Sequence, residues 1–193
     1  MFVVVGLGNP GRTYVGTLHN VGVAVIDELA ARSGASFRLS KDHALVAQCS
    51  VADQRCQLVF PQTFMNDSGR AVSPIVKKAN LSDLHQLIVV HDELDLDPGV
   101  VRIKVGGGLA GHNGLKSLAA HLHSQEFIRV RIGVGKPPRG AADGARYVLS
   151  RPAPDIKAAV GPAIGVGADA VTAILEQGAP SAMAVFNQRS PRP

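Results

Sequence analysis

A histidine, an aspartate and a set of asparagines are the residues of this chain whose types and positions suit acyl chemistry. His19 follows the glycine-rich turn GLGNPG at residues 6–11 and stands just ahead of an apolar helical stripe. An imidazole there can take a proton from water at neutral pH. Asp92 closes the apolar run 87–90. A carboxylate so placed is partly desolvated and needs a donor, or else it is a turn aspartate bonded to local amides. Asn9, Asn66 and Asn113 each lie where the chain leaves a strand or enters a helix. Their amides both donate and accept. Converged on one cleft they would hold a peptide backbone or an oxyanion; taken separately, each suits a turn or a cap.

Other chemistries find little support. GLGNPG follows a strand and has the glycine spacing of a dinucleotide fingerprint, but Asn9 and Pro10 would intrude on the pyrophosphate approach, and no Gly-Lys-Ser/Thr follows to make a phosphate loop. The seven histidines form no H-E-x-x-H pattern, and His121 and His123 diverge on a helix. No Gly-x-Ser-x-Gly elbow offers a serine nucleophile. We therefore expect neither a metal nor a cofactor. Two pairs of cations remain, Arg102 with Lys104 and Arg129 with Arg131, each pair on one face of its strand. If those strands are neighbours, the four form a phosphate patch.

Elements must position these groups. Phe2 to Val5 read as a strand buried on both faces, whose carboxyl end is the usual ligand edge of an open α/β sheet. A helix is predicted over 20–34, capped by Asn20 and ended by Gly34. Strands follow over 43–51 and 55–60, with Cys49 and Cys56 facing each other across a hairpin turn at 52–54. A helix ends near Ala79. Further strands are expected over 86–92, 100–104 and, half-exposed, 127–134. A helix starting at Asn113 runs to about His123. Residues 147–149 read as a short strand, Pro162 as a kink in a helix spanning 154–177, and 180–187 as a short final helix. Residues 136–144 lack apolar periodicity and suggest a mobile gate.

Length and composition agree with one domain. The 193 residues are 46% hydrophobic but only 4% aromatic, so the core is aliphatic. A net charge of +5 favours a polyanionic partner. No apolar run reaches membrane-spanning length, and no charged leader precedes one, so a cytoplasmic location is expected.

Read in order, VGLGNPGRTYVGTLHNVG, PQTFMNDSG, VHDELDLDPG, VRIKVGGGLAGHNGLKS and RVRIGVGKPP resemble the bacterial peptidyl-tRNA hydrolase family. The likeness covers most of residues 3–149 and continues more weakly to Phe186. It implies one α/β domain over residues 1–193, with a twisted mixed β-sheet surrounded by helices. It implies cleavage of the ester joining a peptide to the terminal ribose of tRNA, by a cytoplasmic monomer without a cofactor. By the same resemblance His19 is catalytic and Asp92 supports it. Asn9 matches a position tied to preference for blocked aminoacyl groups. Tyr14, Phe64, Asn66 and Asn113 match substrate contacts, with Met65 in the pocket wall. Lys104 and Arg131 match a clamp for the tRNA 5′ phosphate. Leu18 and Phe60 depart from the family pattern, standing where arginine and lysine are frequent. The rival readings are an RNA-binding protein of this fold without catalysis, and an esterase or peptidase acting on small substrates.

Overall fold

Strand β1 (Phe2–Gly6) is the axis of the sheet, and its Val3, Val4 and Val5 have no exposed surface. In the computed structural model, which describes residues 1–137 and 143–188, seven strands stand in the order β2-β3-β4-β1-β5-β7-β6. The others are β2 (Arg38–Leu39), β3 (Ala44–Val51), β4 (Gln54–Pro61), β5 (Leu87–Glu93), β6 (Val101–Val105) and β7 (Ile128–Gly133). β1 pairs in parallel with both β4 and β5, and β5 with β7. The outer pairings β2–β3, β3–β4 and β6–β7 are antiparallel.

Alternation along each strand divides the apolar side chains between two layers. Val4, Ile88, Val90, Val130 and Ile132 face helices α1 (Val21–Ser33) and α5 (Pro154–Phe186). Val3, Val5 and Val89 face α2 (Ser68–Ala79) and α3 (Asn113–Leu122). The chain thus leaves β1 towards one face and β4 towards the other. A crevice opens at the carboxyl ends of strands flanking such a switch.

Several expectations change. Residues 147–149 belong to helix α4 (Gly144–Leu149), because the Asp143 side chain accepts from the Arg146 amide and caps a helical turn. The Tyr147 hydroxyl then donates to the Val134 carbonyl at 2.8 Å. Pro162 does not interrupt α5. It and Ala158 are exposed, so the carbonyl lacking its partner amide faces water. The break falls at Gly178, with φ 80° and ψ 161°, and the expected short last helix follows it. β7 is buried almost throughout rather than half-exposed, for a reason given below. Cys49 and Cys56 do stand opposite each other in register, with both thiols free; burial pushes the Cys56 thiol up to about 11. Of the expected gate, residues 138–142 lie outside the described residues.

α5 is long and apolar enough to cross a membrane by length and composition alone. Its Val160, Val171, Ile174 and Leu175 instead bury into the layer shared with α1.

Candidate active site

The turn after β1 is fixed by backbone and amide bonds. The Leu7 amide donates to the Val90 carbonyl at 3.0 Å. The Asn9 amide donates to Asn20 Oδ1, and Asn20 Nδ2 donates to the Asn9 carbonyl, both at 2.9 Å. Asn20 therefore staples the turn instead of capping α1, whose start carries no side-chain cap. Gly22 lets α1 approach the sheet, since a Cβ there would run into the Val90 carbonyl and Leu7. The 3-10 turn Leu18–Asn20 is thereby held against the end of β5.

This juxtaposition brings His19 to Asp92, with Nδ1 2.9 Å from Oδ1. A second imidazole reaches the same oxygen: His112 Nε2 lies 3.0 Å from it. His112 Nδ1 accepts from the amides of Gly114 and Leu115, at 3.1 and 3.4 Å, as the N-cap of α3. That nitrogen carries no proton, so His112 holds its proton on Nε2 and donates it to Asp92. With His19 Nδ1 donating to the same carboxylate, His19 Nε2 is left as an unprotonated nitrogen for the cleft. Burial alone would raise the Asp92 carboxyl. The bonds and charge from His112 and His19 outweigh it and hold Asp92 well below the ordinary carboxylate range. His91 packs edge-on against His112 at 5.0 Å between ring centres. Its Nδ1 donates to the Asp92 carbonyl at 2.7 Å, and burial pushes its pKa down to about 3.

The donor atoms of His19, Asp92 and His112 lie within 4.8 Å of one another, near enough to suggest a cation. A metal on His112 Nε2 would force the ring proton onto Nδ1, against the two amides that already donate there. The cluster is arranged to hold protons.

A cleft of about 460 Å³ opens beside these groups, lined by Asn9, Tyr14, Phe64, Met65, Asn66 and Asn113 among others. Asn9 Oδ1 accepts from the Met65 amide at 2.7 Å. Its remaining Nδ2 is thus a donor for the cleft. The side chains of Asn66 and Asn113 make no hydrogen bond to other described residues. Phe64 is 63% exposed at the rim. Leu94, Val148 and Leu149 complete an apolar wall that the sequence did not announce, because it depends on α4.

The basic strands are neighbours: Arg102 stands opposite Arg131, and Lys104 opposite Arg129. They do not form a patch of four. Arg102 donates to the carbonyls of Val101 and Phe186. Arg129 is 1% exposed beneath the loop 106–111. β6 runs antiparallel to β7, so this loop must return along the face of β7 to bring His112 to Asp92. That return covers β7 and explains its burial. Arg131 pairs with Glu93 at 3.0 Å. Lys104 has no hydrogen-bond or ion-pair partner among the described residues. Neither Lys104 nor Arg131 lines the cleft. Leu18 is buried in the layer under α1 and α5, so hydrophobic packing occupies a place where arginine was expected.

A cleft at the carboxyl edge of a mixed sheet, with one apolar wall, free side-chain amides and a carboxylate-bound histidine, defines an α/β enzyme of hydrolytic type. The comparisons with known proteins agree. Residues 3–193 match the family described as peptidyl-tRNA hydrolase. The chain is 46% identical over 190 residues to a peptidyl-tRNA hydrolase of Anaeromyxobacter sp. (strain K), covering 98% of each. It is 46% identical over 197 residues to one of Cutibacterium acnes, covering 96% of this chain and 98% of that protein. A crystal structure of peptidyl-tRNA hydrolase from Acinetobacter baumannii superposes with TM-score 0.90 at 33% identity, covering 100% of this chain and 97% of that one. The chain belongs to the peptidyl-tRNA hydrolase family and is a hydrolase.

Proposed function

We propose that this chain hydrolyses the ester between a peptide, or an N-blocked aminoacyl group, and the terminal ribose of tRNA, so recycling tRNA dropped by ribosomes. It does so as a cytoplasmic monomer without a cofactor. The observation that carries the chemical assignment is the 2.9 Å bond between His19 Nδ1 and Asp92 Oδ1. It turns the other ring nitrogen into the base. His19 Nε2 takes a proton from water as the water oxygen attacks the ester carbonyl carbon. Asp92 stabilises the imidazolium that forms. The tetrahedral oxyanion takes hydrogen bonds from the amides of Asn66 and Asn113. On collapse the ribose oxygen leaves and recovers a proton from His19, giving free peptide and tRNA.

Substrate recognition divides by chemistry. Asn9 Nδ2, fixed as a donor by the Met65 amide, meets a carbonyl oxygen of the acyl chain. A free aminoacyl group has no peptide carbonyl to offer there. Tyr14, Phe64 and Met65 contact the substrate along the cleft wall. Lys104 and Arg131, outside the cleft, meet the tRNA 5′ phosphate. The test is a comparison of three substrates: N-acylaminoacyl-tRNA, the same tRNA with a free amino group, and a small acyl ester. Rapid turnover of the first alone is expected. Equal turnover of the small ester would favour a general esterase.

A further inference from the structure

We propose that Arg129 is a positioning residue for tRNA binding, acting through Lys104. The proposal rests on the reading of Lys104 as a phosphate-binding cation. The guanidinium of Arg129 donates to the carbonyl oxygens of three consecutive glycines: to Gly106, to Gly107 at 3.2 Å and to Gly108 at 3.0 Å. Arg129 makes no ion pair with a carboxylate among the described residues, which is uncommon for so buried a charge. The reason lies in the path of the chain. The loop starts at the far end of β6 and crosses the face of β7, so its carbonyls point at a sheet strand with no ladder to receive them. Arg129 is the side chain of that strand that satisfies them.

Lys104 is the direct cross-strand neighbour of Arg129 and shares its face. Its Cε and Nζ lie 3.0 and 3.2 Å from where a Cβ on Gly107 would stand. An ammonium beside this glycine loop would ordinarily compete for its carbonyls. Arg129 bonds all three of these oxygens and Lys104 none, and a planar fork with five donors spans them as a single lysine cannot. Lys104 is left without a partner among the described residues, available to a phosphate. The far end of the loop has its own anchors, His112 on Asp92 and on the amides of α3. Loss of Arg129 should therefore disturb the Lys104 end and spare the chemistry.

The test uses the whole enzyme and two substrates: N-acylaminoacyl-tRNA with its 5′ phosphate, and a short acylated CCA fragment lacking it. Arg129→Lys and Arg129→Met should each raise KM for the tRNA substrate about fivefold or more, with kcat held within about twofold on both substrates. Arg129→Lys keeps the charge, so a loss there separates positioning from simple attraction; wild-type KM in Arg129→Lys overturns the proposal. In the double variant with Lys104→Gln, KM should match Lys104→Gln alone, because the two act through one contact. Additive effects overturn the proposal, as does an equal fall of kcat on both substrates. If Arg129→Met does not fold, Arg129→Lys and its double variant with Lys104→Gln decide the matter alone. An unchanged KM for tRNA in Lys104→Gln itself would refute the phosphate role, and the positioning role with it.

Discussion

At the scale of residues, a single carboxylate oxygen organises the site. Asp92 Oδ1 accepts from His19 and from His112. In Asp92→Asn an amide oxygen can still accept both bonds, but it carries no charge to stabilise an imidazolium. The rate constant kcat should fall about 10²–10⁴-fold with little change in tRNA binding; steady-state kinetics beside a binding titration check this. His112 combines two tasks, supporting Asp92 and capping α3. His112→Ala loses both, with about 1 kcal/mol of cap stability. His112→Asn restores an N-cap side chain but not the bond to Asp92. Thermal melting should therefore separate the two variants, while both lower kcat by about tenfold or more. His19, Asp92 and the asparagines were legible in the sequence because each follows an apolar strand or precedes a helix. His112 was not singled out. Its signal is its place directly before Asn113 at a helix start, and its partner lies twenty residues earlier on another strand. Arg129 was read as half-exposed because alternation along β7 predicts which face a side chain takes, not what later covers that face.

At the scale of elements, the site depends on how closely α1 meets the sheet. Gly22→Ala should push the helix off the Val90 carbonyl and carry His19 away from Asp92. A loss of about 1–3 kcal/mol in urea unfolding is expected, with kcat reduced more than KM. Unchanged stability would show that α1 has more room than its contacts indicate. Six of the seven strands, with α1, α2 and α3, followed from periodicity; the two-residue β2 was too short to show any, and Gly34 ends α1 in the left-handed conformation expected of it. α4 escaped because six residues carry too little periodicity, and its cap lies beside residues of irregular composition. The proline rule failed at Pro162 because an exposed helix face lets water replace the missing bond.

At the scale of the whole molecule, the family places this chain among hydrolases of peptidyl-tRNA, and the buried His91 and Asp92 predict a loss of stability in acid. His91 has its pKa lowered from 6.5 to about 3, first by burial. Its contribution to stability is full above pH 6.5 and is lost as pH falls towards 3, because the unfolded chain binds the proton first. Asp92 adds a further loss below its ordinary value of 3.8. Urea midpoints should fall steadily from pH 6.5 to 3, and His91→Asn should flatten that slope by up to about 1.4 kcal/mol per pH unit. A parallel slope in the variant would assign the acid sensitivity elsewhere. The central claim, that His19 is the base for water, is tested most directly by His19→Ala on N-acylaminoacyl-tRNA, with turnover and tRNA affinity measured on one preparation. The account predicts a fall in kcat of about 10²-fold or more with affinity held within about threefold; turnover near that of the wild type would contradict it.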